Sequence, residues 1–252
     1  MTLTHQAEVL TWTEPEPMPL RGTVILLPGR GESPQVYERL GKRLAADAYR
    51  VHVVTAPSDS PDQARAQLTG LLETADADKP RVVAGSDGGA AYAAHLAARA
   101  ELPGVNALIL AGLPTAATAS TARDWDGELD ARSFCPTHRG RISASGVRAG
   151  ELFTDLPPDW FDAQAAARIS LPVLGLHGRE DTVSPLADAR DFYAAVPHAE
   201  LVSIAGGPHD VLNDQTHRTV AATIVLFLER LRGGAGLPPI ALAEPLRAGS
   251  PA

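Results

Sequence analysis

Arg81-Val82-Val83-Ala84-Gly85-Ser86-Asp87-Gly88-Gly89, running on into Ala90-Ala91-Tyr92-Ala93-Ala94-His95-Leu96-Ala97-Ala98, is the stretch on which the reading of this chain turns. Arg81–Ala84, opened by Pro80, is short, apolar and β-prone, as a buried strand is. Ala90–Ala98 is built of small helix-favouring residues. Between them the backbone must double back around a serine, and only tiny neighbours leave room for that. Ala84 and Gly88, two residues to either side of Ser86, supply it. The pattern small-x-Ser-x-Gly between strand and helix reads as a nucleophile elbow. The plainer reading of the same residues is a glycine loop with Ser86 as a helix N-cap.

Outward from this point the chain alternates. A continuous β-prone run, Gly22–Leu27, precedes a glycine loop, Pro28-Gly29-Arg30-Gly31-Glu32-Ser33. Ser33-Pro34 then pairs a helix cap with a first-turn proline, for a helix over 34–46. Strand 50–55, helix 61–74, the elbow unit and strand 107–111 follow, with an edge strand over 7–13 ahead of them. After 170 the alternation resumes with strand 172–177, helix 185–196, strand 200–204 and helix 209–231. Strands alternating with helices predict an α/β fold, a mostly parallel open sheet covered by helices on both faces. The core is then 1–113 plus 171–232, with 114–170 as a small lid insertion and 233–252 as a flexible, Gly/Pro/Ala-rich tail. Of the chain's five Phe and three Trp, Trp125, Phe134, Phe153, Trp160 and Phe161 all fall within the insertion.

Composition narrows the function classes. The 252 residues carry a formal net charge of −8, which argues against nucleic acid as partner. The single cysteine, Cys135, rules out an internal disulfide and fits a reducing, cytoplasmic setting. No apolar run is long enough for a membrane span, and the N-terminus lacks a signal-peptide pattern. No histidine pair has metal-ligand spacing backed by carboxylates, so no metal and no cofactor are expected.

In such a sheet, ligands sit beyond the carboxyl ends of the strands. The strand ends deliver Arg30, Ser86, Gly178-Arg179-Glu180-Asp181 and Gly207-Pro208-His209-Asp210. From about Leu20 to Leu231 the chain resembles the α/β-hydrolase superfamily of serine hydrolases, in its lysophospholipase, esterase and thioesterase branch. The resemblance rests on Leu26-Leu27-Pro28-Gly29-Arg30-Gly31, the elbow at 84–89, Gly178–Asp181 with Val183-Ser184-Pro185, and Gly207-Pro208-His209-Asp210-Val211. Ala84 stands where the family usually has glycine, Gly85 replaces a frequent His or aromatic residue, and Pro28 stands where His is common.

The resemblance implies a catalytic triad of Ser86, Asp181 and His209, with Glu180 the rival carboxylate. It also implies an oxyanion hole from the backbone N–H groups of Arg30 and Asp87. The expected reaction is cleavage of a small ester or thioester through an acyl-enzyme on Ser86. The alternative is acyl transfer from a carrier thioester, with an acyl carrier protein as partner; a non-catalytic binding module is the remaining class. Trp125, Phe134, His138, Phe153 and Trp160 are the substrate-binding candidates in the insertion. A second frame, small-x-Asp-x-small over Gly85–Gly89, makes Asp87 the nucleophile, as in epoxide hydrolases and dehalogenases. The insertion lacks the tyrosine donors those enzymes use, which weighs against that frame.

Overall fold

A computed structural model describes residues 9–116, 121, 123–162, 164–234 and 236–242. A seven-stranded sheet forms the centre, in the order β1-β3-β2-β4-β5-β6-β7. Its strands are β1 (Leu10–Trp12), β2 (Gly22–Leu27), β3 (Tyr49–Val53), β4 (Arg81–Ser86), β5 (Ala107–Ala111), β6 (Val173–Gly178) and β7 (Ala199–Ile204). β1 pairs antiparallel with β3, and every other pairing is parallel. The edge strand is shorter than the expected 7–13, and residues 1–8 lie outside the described set.

β2 and β5 are buried from end to end, and β4 from Val82 onward, because helices cover both faces. The side chains therefore divide by twos. Ile25, Leu27, Val83, Leu108 and Leu110 face one apolar layer, shared with α2 (Pro61–Thr74), α3 (Gly88–Ala98) and α7 (Leu186–Ala195). Val24, Leu26, Val82, Ala84 and Ile109 face the other, shared with α1 (Glu38–Ala46) and α8 (His217–Arg232). At about 1.5–3 kcal/mol for each large apolar side chain buried, these two layers outweigh any single polar contact in holding the sheet.

Two expected helices differ in extent. Residues 34–37 form a 3-10 turn before α1, and the last helix begins at His217, not at 209. Residues 209–216 are instead a loop whose carbonyls and amides serve the site described below.

The insertion holds α4 (Trp125–Arg132), α5 (Pro136–Ala144), two 3-10 turns and α6 (Ala165–Arg168). Part of it is integral to the main core: Leu156, Trp160, Ala165, Ala166 and Ile169 join the layer over α3. Ala131, Leu152 and Phe153 make a small cluster of their own. Of the expected tail, Leu237 packs partly against the α8 layer and its carbonyl accepts from Arg230 Nε (3.1 Å) and Nη2 (2.7 Å). Residues 243–252, which carry the rest of that expectation, lie outside the described set.

Candidate active site

The turn after β4 is centred one residue later than the serine-centred expectation. β4 continues through Ser86, which pairs in register with Ala111. The sharp residue is Asp87, with φ 47° and ψ −122°. Its neighbours show why. A Cβ on Gly85 would lie 2.5 Å from the Gly89 carbonyl oxygen, and a Cβ on Gly89 would lie 2.0 Å from the Leu27 carbonyl oxygen. A Cβ on Gly88, the small residue a serine-centred turn requires, would meet side chains and not backbone: the tip of Leu156 at 3.0 Å and Arg30 Cγ at 3.3 Å. The steric demand thus falls two residues to either side of Asp87.

The side chains follow this geometry. His209 Nε2 stands 3.2 Å from Asp87 Oδ1, and His209 Nδ1 stands 2.9 Å from Asp181 Oδ2. Ser86 is buried, and its hydroxyl interacts with the Tyr37 phenol, not with His209. Of the two adjacent residues at the end of β4, it is Asp87 whose side chain stands beside the pair of His209 and Asp181. The cause is the pleat: a residue still within the strand points to the side opposite its successor at the turn.

Asp181 is fixed by its own turn. Oδ1 accepts the N–H groups of Val183 (2.8 Å) and Ser184 (2.9 Å), leaving Oδ2 for His209. His177 Nε2 donates to the Ser184 carbonyl at 2.7 Å and lies 3.2 Å from Asp181 Oδ2. Glu180, the rival carboxylate, is exposed. His209 is set from two directions. Its backbone N–H donates to the Ala131 carbonyl at 3.2 Å, and the Asp210 N–H donates to the Arg132 carbonyl at 2.8 Å. α4 of the insertion thereby braces the histidine turn.

Arg30 closes the arrangement. Its backbone N–H donates to Asp87 Oδ2 at 2.9 Å, and its guanidinium grips the same carboxylate through Nε (2.9 Å to Oδ2) and Nη2 (2.6 Å to Oδ1). Nη1 donates to the Thr154 carbonyl at 2.7 Å. The expected oxyanion pair is half altered. The Arg30 N–H faces the site, but the Asp87 N–H is spent on the Ala111 carbonyl at 2.9 Å.

The electrostatics are those of a closed charge cluster. Asp87 and His209 are each 1% exposed and Arg30 2%. Burial would raise the Asp87 carboxyl, but the Arg30 charge and then His209 hold it well below the usual carboxylate range. Burial would likewise lower His209, yet Asp181 and then Asp87 outweigh it and raise the imidazole to about 10. At neutral pH His209 is an imidazolium between two carboxylates. Asp181 is held low because the His209 charge outweighs its burial.

Behind these groups Arg132, fully buried, donates to Glu32 Oε1 (3.0 Å), Glu128 Oε1 (2.9 Å) and the Arg30 carbonyl (2.8 Å). Burial and the nearby Asp210 raise Glu32 to about 7, with Arg132 opposing.

The insertion candidates separate. Trp160 is buried, stacks at a tilt on Tyr92 with centroids 4.8 Å apart, and lines a cavity of about 430 Å³ with Leu113, Phe161 and Phe192 and with Asp162, Asp188 and Asp191. Phe153 is buried in the small cluster with Ala131 and Leu152. Phe134 is 43% exposed, and Trp125 is half-buried at the start of α4. His138 is buried, with Nε2 3.3 Å from Asp210 Oδ2. Among the described residues no cluster of three or more His, Cys, Asp or Glu could hold a metal, and no helix is long and apolar enough to cross a membrane.

The sheet order, the strand–turn–helix at β4 and the loop-borne Asp181 and His209 define an α/β-hydrolase fold. The Hydrolase_4 family, described as serine aminopeptidase S33, matches residues 161–216. A sequence search of curated proteins gives no match. Among solved structures, a soluble variant of the Saccharomyces cerevisiae monoglyceride lipase is similar at TM-score 0.72 and 16% identity, covering 88% of this chain and 91% of that one. The Paleococcus ferrophilus monoacylglycerol lipase is similar at TM-score 0.70 and 18% identity, covering 88% and 97%. The thioesterase domain of the curacin biosynthetic pathway is similar at TM-score 0.61 and 17% identity, covering 86% and 94%. At these identities the likeness is one of fold.

Asp87 was legible in the sequence only through its flanks. Gly85 and Gly89 surround it at the spacing the turn needs, whereas Ala84 and Gly88 offer a similar, weaker match around Ser86.

Proposed function

We propose that this chain is a hydrolase whose nucleophile is the Asp87 carboxylate, acting on a carbon that bears a leaving group or on a strained ring. The observation that carries the reading is Asp87 at the apex of the turn, 3.2 Å from His209 Nε2. A carboxylate attacking a saturated carbon forms an ester, which water can hydrolyse. Attack on an ester carbonyl would instead form a high-energy anhydride. The epoxide and halide class therefore suits this nucleophile better than ester or thioester cleavage.

In the first step Asp87 Oδ1 forms a bond to carbon, and the leaving group departs with its electron pair. Arg30 must first withdraw its guanidinium from Oδ1, and it is then the cation placed to meet the departing anion. Esterification removes one of the two charges that keep His209 protonated, so its proton passes to the alkoxide of an opened epoxide, or to solvent where the leaving group is a halide, which departs as the anion. Neutral His209, oriented by Asp181, then takes a proton from water as the water attacks the Asp87 ester carbonyl. The Arg30 and Gly88 N–H groups receive the oxyanion. Collapse expels the product alkoxide, which takes that proton from His209, and the proton of the resulting Asp87 carboxylic acid passes back to His209, restoring carboxylate and imidazolium. The cavity beside Trp160, one helical turn beyond Asp87, takes the apolar part of the substrate.

The test is a panel of epoxides, haloalkanes and p-nitrophenyl esters, followed by one turnover in ¹⁸O-water with mass analysis of the peptide holding residue 87. The expected outcome is ¹⁸O in Asp87, and an alkyl adduct that accumulates on Asp87 in His209→Gln. Asp87→Asn should lose on the order of 10³-fold or more in kcat, and Ser86→Ala less than tenfold. Ester turnover abolished by Ser86→Ala, with fluorophosphonate labelling of Ser86, would overturn this reading in favour of an acyl-enzyme esterase, thioesterase or acyltransferase.

A further inference from the structure

Away from the β4 turn, α1 and the start of α8 enclose a second cavity, of about 360 Å³. Arg39, Arg43, Arg218 and His217 line it, over a floor that includes Leu40 and Leu212. Three guanidinium groups converge there in a chain whose net charge is −8, and no carboxylate is among its lining residues. Their present partners leave most of that charge uncompensated. Arg39 donates to the Asn213 carbonyl and, at 3.7 Å, to Cys135 Sγ, both neutral. Arg43 Nε is shared with Asp47 at 3.4 Å, an exposed pairing of the kind worth little. The Arg218 side chain makes no hydrogen bond or ion pair with the described residues. The imidazole of His217 registers the same field: burial and the facing Arg39 hold it below its ordinary range.

We propose that this cavity binds a phosphate monoester, with Arg39, Arg43 and Arg218 on the dianionic head and Leu40 and Leu212 under an apolar substituent. Planar guanidinium forks match phosphate oxygens two at a time, and three of them suit a doubly charged head better than a single carboxylate. The volume lies within the range of small-ligand pockets. The proposal does not depend on the role given to Asp87. Arg39 also holds the carbonyl of Asn213, in the loop that begins at His209, so an occupant would bear on that loop.

Calorimetric titration of the full chain at low salt tests it, with phenyl phosphate, inorganic phosphate and phenol as probes. Flotation with phosphatidic acid vesicles forms a parallel arm. Phenyl phosphate should bind one per chain, at least tenfold tighter than phosphate or phenol. Arg43→Gln with Arg218→Gln should weaken it at least thirtyfold without moving the thermal midpoint, because both side chains are at the surface. Vesicle binding lost in the same double variant would assign the site to a lipid phosphate head. Phenyl phosphate that binds no tighter than phenol, or binding indifferent to the double variant in both arms, would overturn the proposal. Asp87→Asn should bind phenyl phosphate as the wild type does, which keeps this result separate from the fate of the catalytic reading.

Discussion

At Asp87 one position decides which side chain meets His209. Ser86 and Asp87 are neighbours, but the strand pleat sends Ser86 towards Tyr37 and the turn sends Asp87 towards His209. The contact can be read through the imidazole. His209 titrates at about 10 with both carboxylates in place, so Asp87→Asn should lower that value, as followed by ring ¹⁵N shifts across a pH series. An unchanged titration would mean that Asp87 and His209 are not in contact. The sign for stability follows from linkage. The folded value lies above the free imidazole's 6.5, so the stabilisation is complete below about pH 6.5 and is lost as pH rises through about 10. The stability difference between wild type and His209→Gln should therefore shrink between pH 7 and pH 10 in urea melts.

At the scale of the element, the β4–α3 unit depends on two glycines for reasons of close approach. Gly89→Ala would drive a methyl to 2.0 Å from a main-chain oxygen, and neither strand nor helix can yield cheaply. The expected cost is about 3 kcal/mol or more by chemical denaturation. Gly70 in α2 is the contrast: nothing lies within 4 Å of a Cβ there. Gly70→Ala should stabilise by about 0.5–1 kcal/mol, through helix propensity alone. If both substitutions were equally tolerated, the tight packing described for the turn would be wrong. The strands themselves were readable because burial on both faces writes a continuous β-prone run. The start of α8 was not, because residues 209–216 carry helix-compatible residues whose amides and carbonyls are taken up by tertiary contacts.

Across the whole molecule, the insertion and the core share a buried charge network. Arg132 from α4 joins Glu32 and the Arg30 carbonyl of the first loop, and its own carbonyl holds the turn of His209. Arg132→Met would strand Glu32 and Glu128 without their cation, at a cost of about 3–5 kcal/mol. Adding Glu32→Gln should recover part of that loss, and purely additive effects in denaturant melts would show that the two are not coupled. The sequence shows Arg132 only as one of six arginines in an insertion that also carries eight acids. Its partner Glu32 is 100 residues away, and no local pattern announces such a pairing.

The order of strands and helices, the two-sided burial of the sheet and the delivery of Arg30, Asp181 and His209 to one rim were determined by the sequence alone. Hydrophobic period and glycine placement are local properties, and they suffice for these. Which of two adjacent polar residues meets the histidine was decided only by the tertiary structure, as were the seal that Arg30 forms and the arginines gathered between α1 and α8. Each of these depends on the angle and depth at which distant segments pack, and those follow from contacts that no stretch of neighbouring residues contains.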